Sequence, residues 1–144
     1  MEISKPMEVI RFEEINILND VRLIHSHDLN HRESKDNLTA QFELTGEVKG
    51  LINCFLLLDE KEVGYTDRNY LFPLFIESMN ILIGKQISMD PEMSNLKINM
   101  SAPKIKLNPT TVNSKGRFST HLYELQLNDI SYDVLIQYSL QMMN

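Results

Sequence analysis

The hydrophobic positions between residues 72 and 87 predict one long, largely buried helix. They are too numerous for the single apolar face of a surface helix, and they comprise Leu74, Phe75, Ile76, Met79, Ile81, Leu82, Ile83 and Ile87. This pattern is typical of a helix covered on most of its circumference. Pro73 suits the first turn, because the N–H that proline lacks has no helical partner there.

Three residues interrupt the apolar surface of this helix. Glu77 and Asn80 are three positions apart, so their side chains lie on one face, one turn from each other. Gly84 falls one turn further along that face, and a glycine within a helix costs about 1 kcal/mol relative to alanine. We therefore expect a strip made of a carboxylate, an amide and a bare patch that another group approaches closely.

Alternating polarity before the helix predicts a β-hairpin. Residues 38–44 alternate between apolar and polar side chains, which indicates a strand with one buried face. Residues 51–58 form an apolar run interrupted only by Asn53, which indicates a central strand buried on both faces. Residues 45–50 between them contain two glycines and provide the turn.

Further strands are predicted at both ends of the chain. Residues 12–26 favour a strand, and residues 96–100 predict another that stops at Ala102-Pro103. Residues 118–127 and 131–142 alternate in polarity and predict a second hairpin. The fold class is therefore α+β, an antiparallel sheet packed by a long helix. We expect residues 1–144 to form a single domain, with residues 1–8 as a loose N-terminal lead-in.

Composition and charge narrow the classes of partner. The chain has 144 residues, of which 42% are hydrophobic and 24% charged, and its net charge is -6. Scattered basic residues and a negative charge argue against binding to nucleic acid or to an anionic membrane surface. The chain has no apolar run of about 18 residues and no secretory signal, and its single cysteine, Cys54, reads as a buried core residue. We expect a cytoplasmic protein.

A histidine-containing segment is a candidate metal site. His25, His27, Asp28 and His31 carry side chains that Zn²⁺ accepts as ligands. Residues 26–37 are polar except for Leu29, which favours an exposed connection with solvated histidines.

One motif begins with Glu77-x-x-Asn80 and continues with Gly84 and, after residues 81–102, with Pro103. This motif resembles the signature of the CheC/CheX/FliY chemotaxis phosphatases. The glycine-containing hairpin over residues 45–51 is also similar to the beginning of that family's domain. One copy of the motif is present, as is typical of the CheX type, whereas CheC and FliY types typically carry two. The resemblance implies a CheC/CheX-like fold whose long helix bears the motif.

The resemblance also implies a reaction. The protein would remove the phosphoryl group from the phospho-aspartate of a CheY-like response regulator. Asn80 would orient the attacking water, as an amide can by donating and accepting hydrogen bonds at once, and Glu77 would contact the regulator's lysine. Mg²⁺ would be held by the regulator, so we expect no cofactor in this chain. CheX-type proteins form homodimers, and we expect a homodimer here.

Two departures from the family pattern leave alternatives open. Pro73 occupies a position where the family has Asp or Ser, and the polar residues 59–69 replace a helix that the family usually carries. One alternative is a catalytically inactive CheX-like module that docks on a receiver or a flagellar motor protein. Another is a structural or oligomerisation domain. Exposure of Glu77 and Asn80 on one face would favour a partner site, whereas burial of Asn80 within the fold would exclude the phosphatase.

Overall fold

The computed structural model describes residues 4–6, 15–18, 21–25, 36–58, 68–108, 119–127 and 130–143. Within these ranges the chain forms one helix and a nine-stranded antiparallel sheet. The elements are β1 (Ser4–Pro6), β2 (Ile15–Leu18), β3 (Val21–His25), β4 (Asp36–Gly46), β5 (Val48–Leu58), α1 (Arg68–Met89), β6 (Ile98–Met100), β7 (Lys104–Asn108), β8 (Ser119–Leu127) and β9 (Ile130–Met143). The main path of the sheet runs β2-β3-β8-β9-β5-β4-β6, while β1 pairs with β9 and β7 pairs with β4.

The two predicted hairpins are confirmed, and they form the centre of the sheet. β4 pairs with β5, and β8 pairs with β9. β5 and β9 then pair with each other from Val48 opposite Met142 to Leu57 opposite Asp133, which joins the hairpins edge to edge.

One face of this central sheet carries the core. The apolar positions predicted to share one face of β4 and of β9 are all buried: Leu38, Ala40, Phe42 and Leu44 in β4, and Tyr132, Val134, Ile136 and Tyr138 in β9. The alternation itself holds only in part, because intervening residues are buried as well: Asn37 and Thr39 in β4, and Leu135 and Gln137 in β9. The buried face of α1 contributes Leu71, Phe75, Met79, Leu82 and Ile83 to the same cluster. Each fully buried side chain of this size contributes about 1.5–3 kcal/mol to folding. The core therefore fixes which face of α1 is turned away from solvent.

β5 differs from the prediction that both of its faces are buried. Ile52, Cys54 and Leu56 are fully buried, whereas Leu51, Asn53 and Phe55 on the opposite face are only partly so. Leu57, also on that face, is buried, so the second face is covered at one end of the strand and partly covered elsewhere. The largely apolar run reflects the central position of β5 between β4 and β9.

Three further boundaries differ from the sequence-based expectations. The single strand expected over residues 12–26 is two short strands, β2 and β3, which pair antiparallel. The lead-in expected at residues 1–8 includes β1, which pairs with the end of β9. Asn37, expected in an exposed connection, lies in β4 and is fully buried. Its side-chain Oδ1 accepts a hydrogen bond from Thr39 Oγ1 at 3.1 Å, which offsets part of the cost of burying the amide.

α1 is longer than the predicted helix over residues 72–87. It begins at Arg68 and ends at Met89, so Pro73 lies in the second turn, and the prediction that Pro73 occupies the first turn is wrong. Leu71 is fully buried, so the turn before Phe72 already packs against the core. That packing extends the helix although Pro73 cannot donate a hydrogen bond to the Asn69 carbonyl.

The turn between β4 and β5 forms hydrogen bonds with two parts of the chain that are distant from it in sequence. Glu47 N–H donates to the Lys97 carbonyl at 2.9 Å, and Lys97 N–H donates to Glu47 Oε2 at 2.6 Å. Met143 N–H at the end of β9 donates to the Glu47 carbonyl at 2.7 Å. Glu47 therefore connects the residue before β6 with the last residue of β9.

A bulge containing Pro103 separates β6 from β7 along β4. Ser101 N–H donates to the Glu43 carbonyl at 2.9 Å, and Glu43 N–H donates to Ser101 Oγ, also at 2.9 Å. β7 then pairs with β4 in a register shifted by one residue relative to β6, so Ala102-Pro103 lies opposite the single residue Phe42. A bulge accommodates proline because the extra residue makes no ladder hydrogen bond.

Gly50 lies against the main chain of β9 with no room for a Cβ atom. Its φ is +152°, and a Cβ atom there would collide with the Ser139 carbonyl oxygen and lie 2.9 Å from Leu140 Cα. Only a residue without a side chain fits this position unless the two backbones move apart.

Gly50→Ala should lower the free energy of unfolding by about 2 kcal/mol or more, because it adds both backbone strain and a collision with main-chain atoms. Urea denaturation followed by circular dichroism measures the change. Gly84→Ala is the matched control, because a Cβ there meets nothing within 4 Å in the part of the chain that the structure describes. An equally stable Gly50→Ala protein would contradict this account of the β5–β9 contact.

Candidate functional site

One face of α1 remains exposed after the core has formed. The helical repeat aligns six residues on it, which we call the exposed stripe: Tyr70, Pro73, Glu77, Asn80, Gly84 and Ser88. All are exposed except Gly84, which is partly exposed. The buried residues Phe75, Met79 and Leu82 point in the opposite direction, so core packing determines the orientation of the stripe.

Glu77 and Asn80 are both exposed, one turn apart, as their spacing predicts. Within the described part of the chain, neither side chain forms a hydrogen bond or an ion pair. Asn80 therefore has no internal structural role among these residues, and the condition that would have excluded a partner-facing amide is not met.

Apolar side chains border the two polar groups. Leu74 and Ile81 lie along one margin of the stripe, Ile76 and Ile87 lie along the other, and all four are only partly buried. Tyr70 at the N-terminal end is 63% exposed. Apolar surface around a carboxylate and an amide is suited to contact with another protein, because the margins exclude water while the polar groups provide specificity.

Tyr70 and Pro73 were not singled out as site residues from the sequence. They precede Glu77 by seven and four residues, respectively, and this spacing places them on the same helical face. The same periodicity that aligned Glu77 with Asn80 would have identified them.

The other motif residues lie in different environments. Gly84 is on the stripe, one turn beyond Asn80. Pro103 is partly exposed in the bulge between β6 and β7, on the edge of the sheet and away from the helical stripe in sequence. The bulge accounts for a proline there without any contribution to chemistry.

The histidine segment provides no described metal site. His27, Asp28 and His31 lie outside the described residues, as does the side chain of His25. Among the residues that are described, no group of three His, Cys, Asp or Glu side chains is arranged to hold a metal ion.

Cys54 is fully buried in the core, as its sequence context predicts. Burial raises the pKa of its thiol far above the ordinary range, because the thiolate would lose its hydration. The protonated thiol is a poor nucleophile, so Cys54 makes no contribution to covalent catalysis.

The burial of Cys54 predicts a pH dependence of stability. In the unfolded chain the thiol ionises near its ordinary pKa of 9.0 while the folded thiol stays protonated, so this contribution to stability is complete below that pH and is lost as the pH rises. Above that pH, the free energy of unfolding of wild type should fall by up to about 1.4 kcal/mol more per pH unit than that of Cys54→Ala. Urea unfolding at several alkaline pH values tests this; parallel profiles for the two proteins would contradict it.

No helix in the described part of the chain has both the length and the apolar character needed to cross a membrane. No protein-family model matches the sequence. No curated protein sequence matches it either.

Solved structures do resemble it. One is a chain of the CheX–CheY–BeF3–Mg²⁺ complex from Borrelia burgdorferi, with 11% identity, a TM-score of 0.51 and coverage of 85% of each chain. FliY from Thermotoga maritima has 19% identity and a TM-score of 0.53, covering 83% of this chain and 72% of its own. The chain has a CheX-like and FliY-like fold. A CheC-like superfamily protein from Shewanella sp. PV-4 matches at 14% identity and a TM-score of 0.49, over 82% of this chain and 80% of its own.

The likenesses to the CheX chain and to FliY confirm, at the level of fold, the resemblance that the motif suggested. At such low sequence identity a shared CheX-like fold does not assign a reaction.

Proposed function

We propose that the protein hydrolyses the phospho-aspartate of a CheY-like response regulator, with α1 as the docking element. The observation that carries this proposal is the exposure of Glu77 and Asn80, one turn apart and without internal partners among the described residues, on a helix with apolar margins. The CheX-like fold supports it, and one of the similar structures is a complex of CheX with CheY.

The chemistry suits an amide better than a general base. Water attacks the phosphorus atom, the bond between phosphorus and the aspartyl oxygen breaks, and the products are the free carboxylate and inorganic phosphate. Much of the catalysis in phosphoryl transfer is positioning and charge stabilisation. Asn80 would accept a hydrogen bond from the water while donating one to the phosphoryl group, which holds the water in line. Mg²⁺, held by the regulator, would offset the negative charge of the phosphoryl group.

Glu77 would act as the docking residue. Its carboxylate lies one turn from Asn80, so an ion pair with a lysine beside the regulator's phosphorylation site would fix the register in which Asn80 enters. The apolar margins of the stripe would shield this pair from water, and partial desolvation strengthens an ion pair relative to one on an open surface.

The proposal includes two features implied by the resemblance to CheX-type proteins. The protein would work in the cytoplasm, where response regulators are phosphorylated, and it would form a homodimer. Sedimentation velocity over a range of protein concentrations tests the second feature directly.

A second candidate function is docking without hydrolysis. Pro73 favours it, because an exposed pyrrolidine ring occupies the place on the stripe, one turn before Glu77, where the family carries Asp or Ser. A proline ring can bind a partner but can neither donate a hydrogen bond nor carry charge.

The decisive experiment follows the lifetime of acyl phosphate on a panel of CheY-like receivers with Mg²⁺, with and without the protein. Asn80→Ala should abolish about 99% of the acceleration, because it removes the group that positions the water. Asn95→Ala is the matched control, since Asn95 is exposed in the turn after α1 and off the stripe. It should retain full activity.

Three results are informative in this assay. Acceleration that survives in Asn80→Ala would overturn the assigned role. Binding of a receiver without acceleration by wild type would establish the docking module. Neither binding nor acceleration on any receiver would remove both candidate functions.

Glu77→Gln should raise KM about fivefold and leave kcat nearly unchanged, because an ion pair at a partly exposed surface contributes about 1 kcal/mol. The salt dependence of KM should become weaker as well. Glu92→Gln, at an exposed position in the turn after α1, makes the same change in charge and should behave as wild type. A Glu77→Gln enzyme with unchanged KM and an unchanged salt dependence would refute the docking role.

A further inference from the structure

Gly84 has no explanation within the described fold. Glycine is required in a protein where φ is positive or where another part of the chain leaves no room for a Cβ atom. The described glycines with positive φ are Gly46 and Gly50, and Gly84 is in regular helix. Among the described residues, a Cβ atom at Gly84 would meet nothing within 4 Å. The helix therefore carries the propensity cost of a glycine without any gain from its own packing.

The stripe residue that follows Gly84 also projects little from the helix. Ser88 Oγ donates to the Gly84 carbonyl at 3.0 Å, so the Ser88 hydroxyl is turned back onto the helix. Beyond Asn80, the exposed stripe therefore continues with two small residues, Gly84 and Ser88, which we call the shelf. Gly84 lies about 6 Å along the helix axis from Asn80, so a partner that takes Asn80 into its active site must pass over this shelf.

We propose that Gly84 is a positioning residue for the reaction at Asn80, an inference that rests on the proposed function. The bare backbone allows a main-chain segment of the receiver to contact α1 directly, one turn beyond Asn80. That contact sets how far the Asn80 amide enters the receiver's site. A methyl group at Gly84 would hold the two backbones apart and withdraw the amide from the water it orients.

Gly84→Ala tests this inference because its expected effects on stability and on activity have opposite signs. The urea midpoint should rise or stay the same, since alanine favours helix and the new Cβ occupies open space. kcat for receiver dephosphorylation should fall tenfold or more, with a smaller change in KM, because the defect lies in positioning and not in the initial encounter. Gly84→Val should be at least as inactive.

One control separates the shelf from the rest of the helix. Lys85→Ala changes the exposed residue beside Gly84 but off the stripe, and it should remain active. If wild type binds receivers without hydrolysing them, the affinity for the receiver replaces kcat as the readout, and Gly84→Ala should weaken binding tenfold or more.

The outcomes distinguish this inference from the proposed function. If wild type is active and Gly84→Ala is equally active, the positioning role is overturned while the phosphatase stands. If Gly84→Ala unfolds at lower urea than wild type, the glycine is structural and the inference is again overturned. If wild type neither binds nor dephosphorylates any receiver, the proposed function falls, and the inference falls with it.

Discussion

The pairing of β5 with β9 is the contact on which the rest of the molecule depends. It joins two hairpins that are far apart in sequence, and the other strands add to one hairpin or the other. Gly50 pairs with Leu140 in this ladder, and a Cβ atom at Gly50 would collide with main-chain atoms of β9, so the pairing depends on a residue without a side chain there. The buried face of α1 packs on the core that this pairing creates, so the direction of the exposed stripe is a consequence of strand pairing in the sheet.

Much of the candidate site follows from this arrangement without any special local structure. The core covers the side of α1 that carries Phe75, Met79 and Leu82. Because of the helical period, Glu77 and Asn80 lie on the opposite, exposed side. A regular helix is a rigid support, which would suit the proposed reaction, because that reaction depends on placing one amide accurately. The apolar residues beside the stripe are shared between the core and the surface, which explains why the helix has so little polar sequence for an exposed element.

The parts of this fold that were predictable from sequence are those encoded by local periodicity. A two-residue repeat placed the buried faces of β4 and β9, and the i, i+3 spacing placed Glu77 and Asn80 together. The errors came from information that is not local. Asn37 is buried because β4 continues beyond its apolar run, and α1 begins before Pro73 because Leu71 reaches the core. Likewise, the open space around Gly84 depends on how every other element packs, so the spacing of the motif indicated close approach without identifying what approaches.

The turn at Glu47 has a consequence for the order of folding. Its hydrogen-bonding partners, Lys97 and Met143, become available only after α1 and β9 have taken their places. Contacts between such distant segments form late, because closing a long loop costs conformational entropy before the contacts begin to stabilise the chain. Glu47 is thus expected to act on the rate at which the native protein opens more than on the rate at which it forms. A small hairpin turn would in this way contribute to the lifetime of the folded molecule.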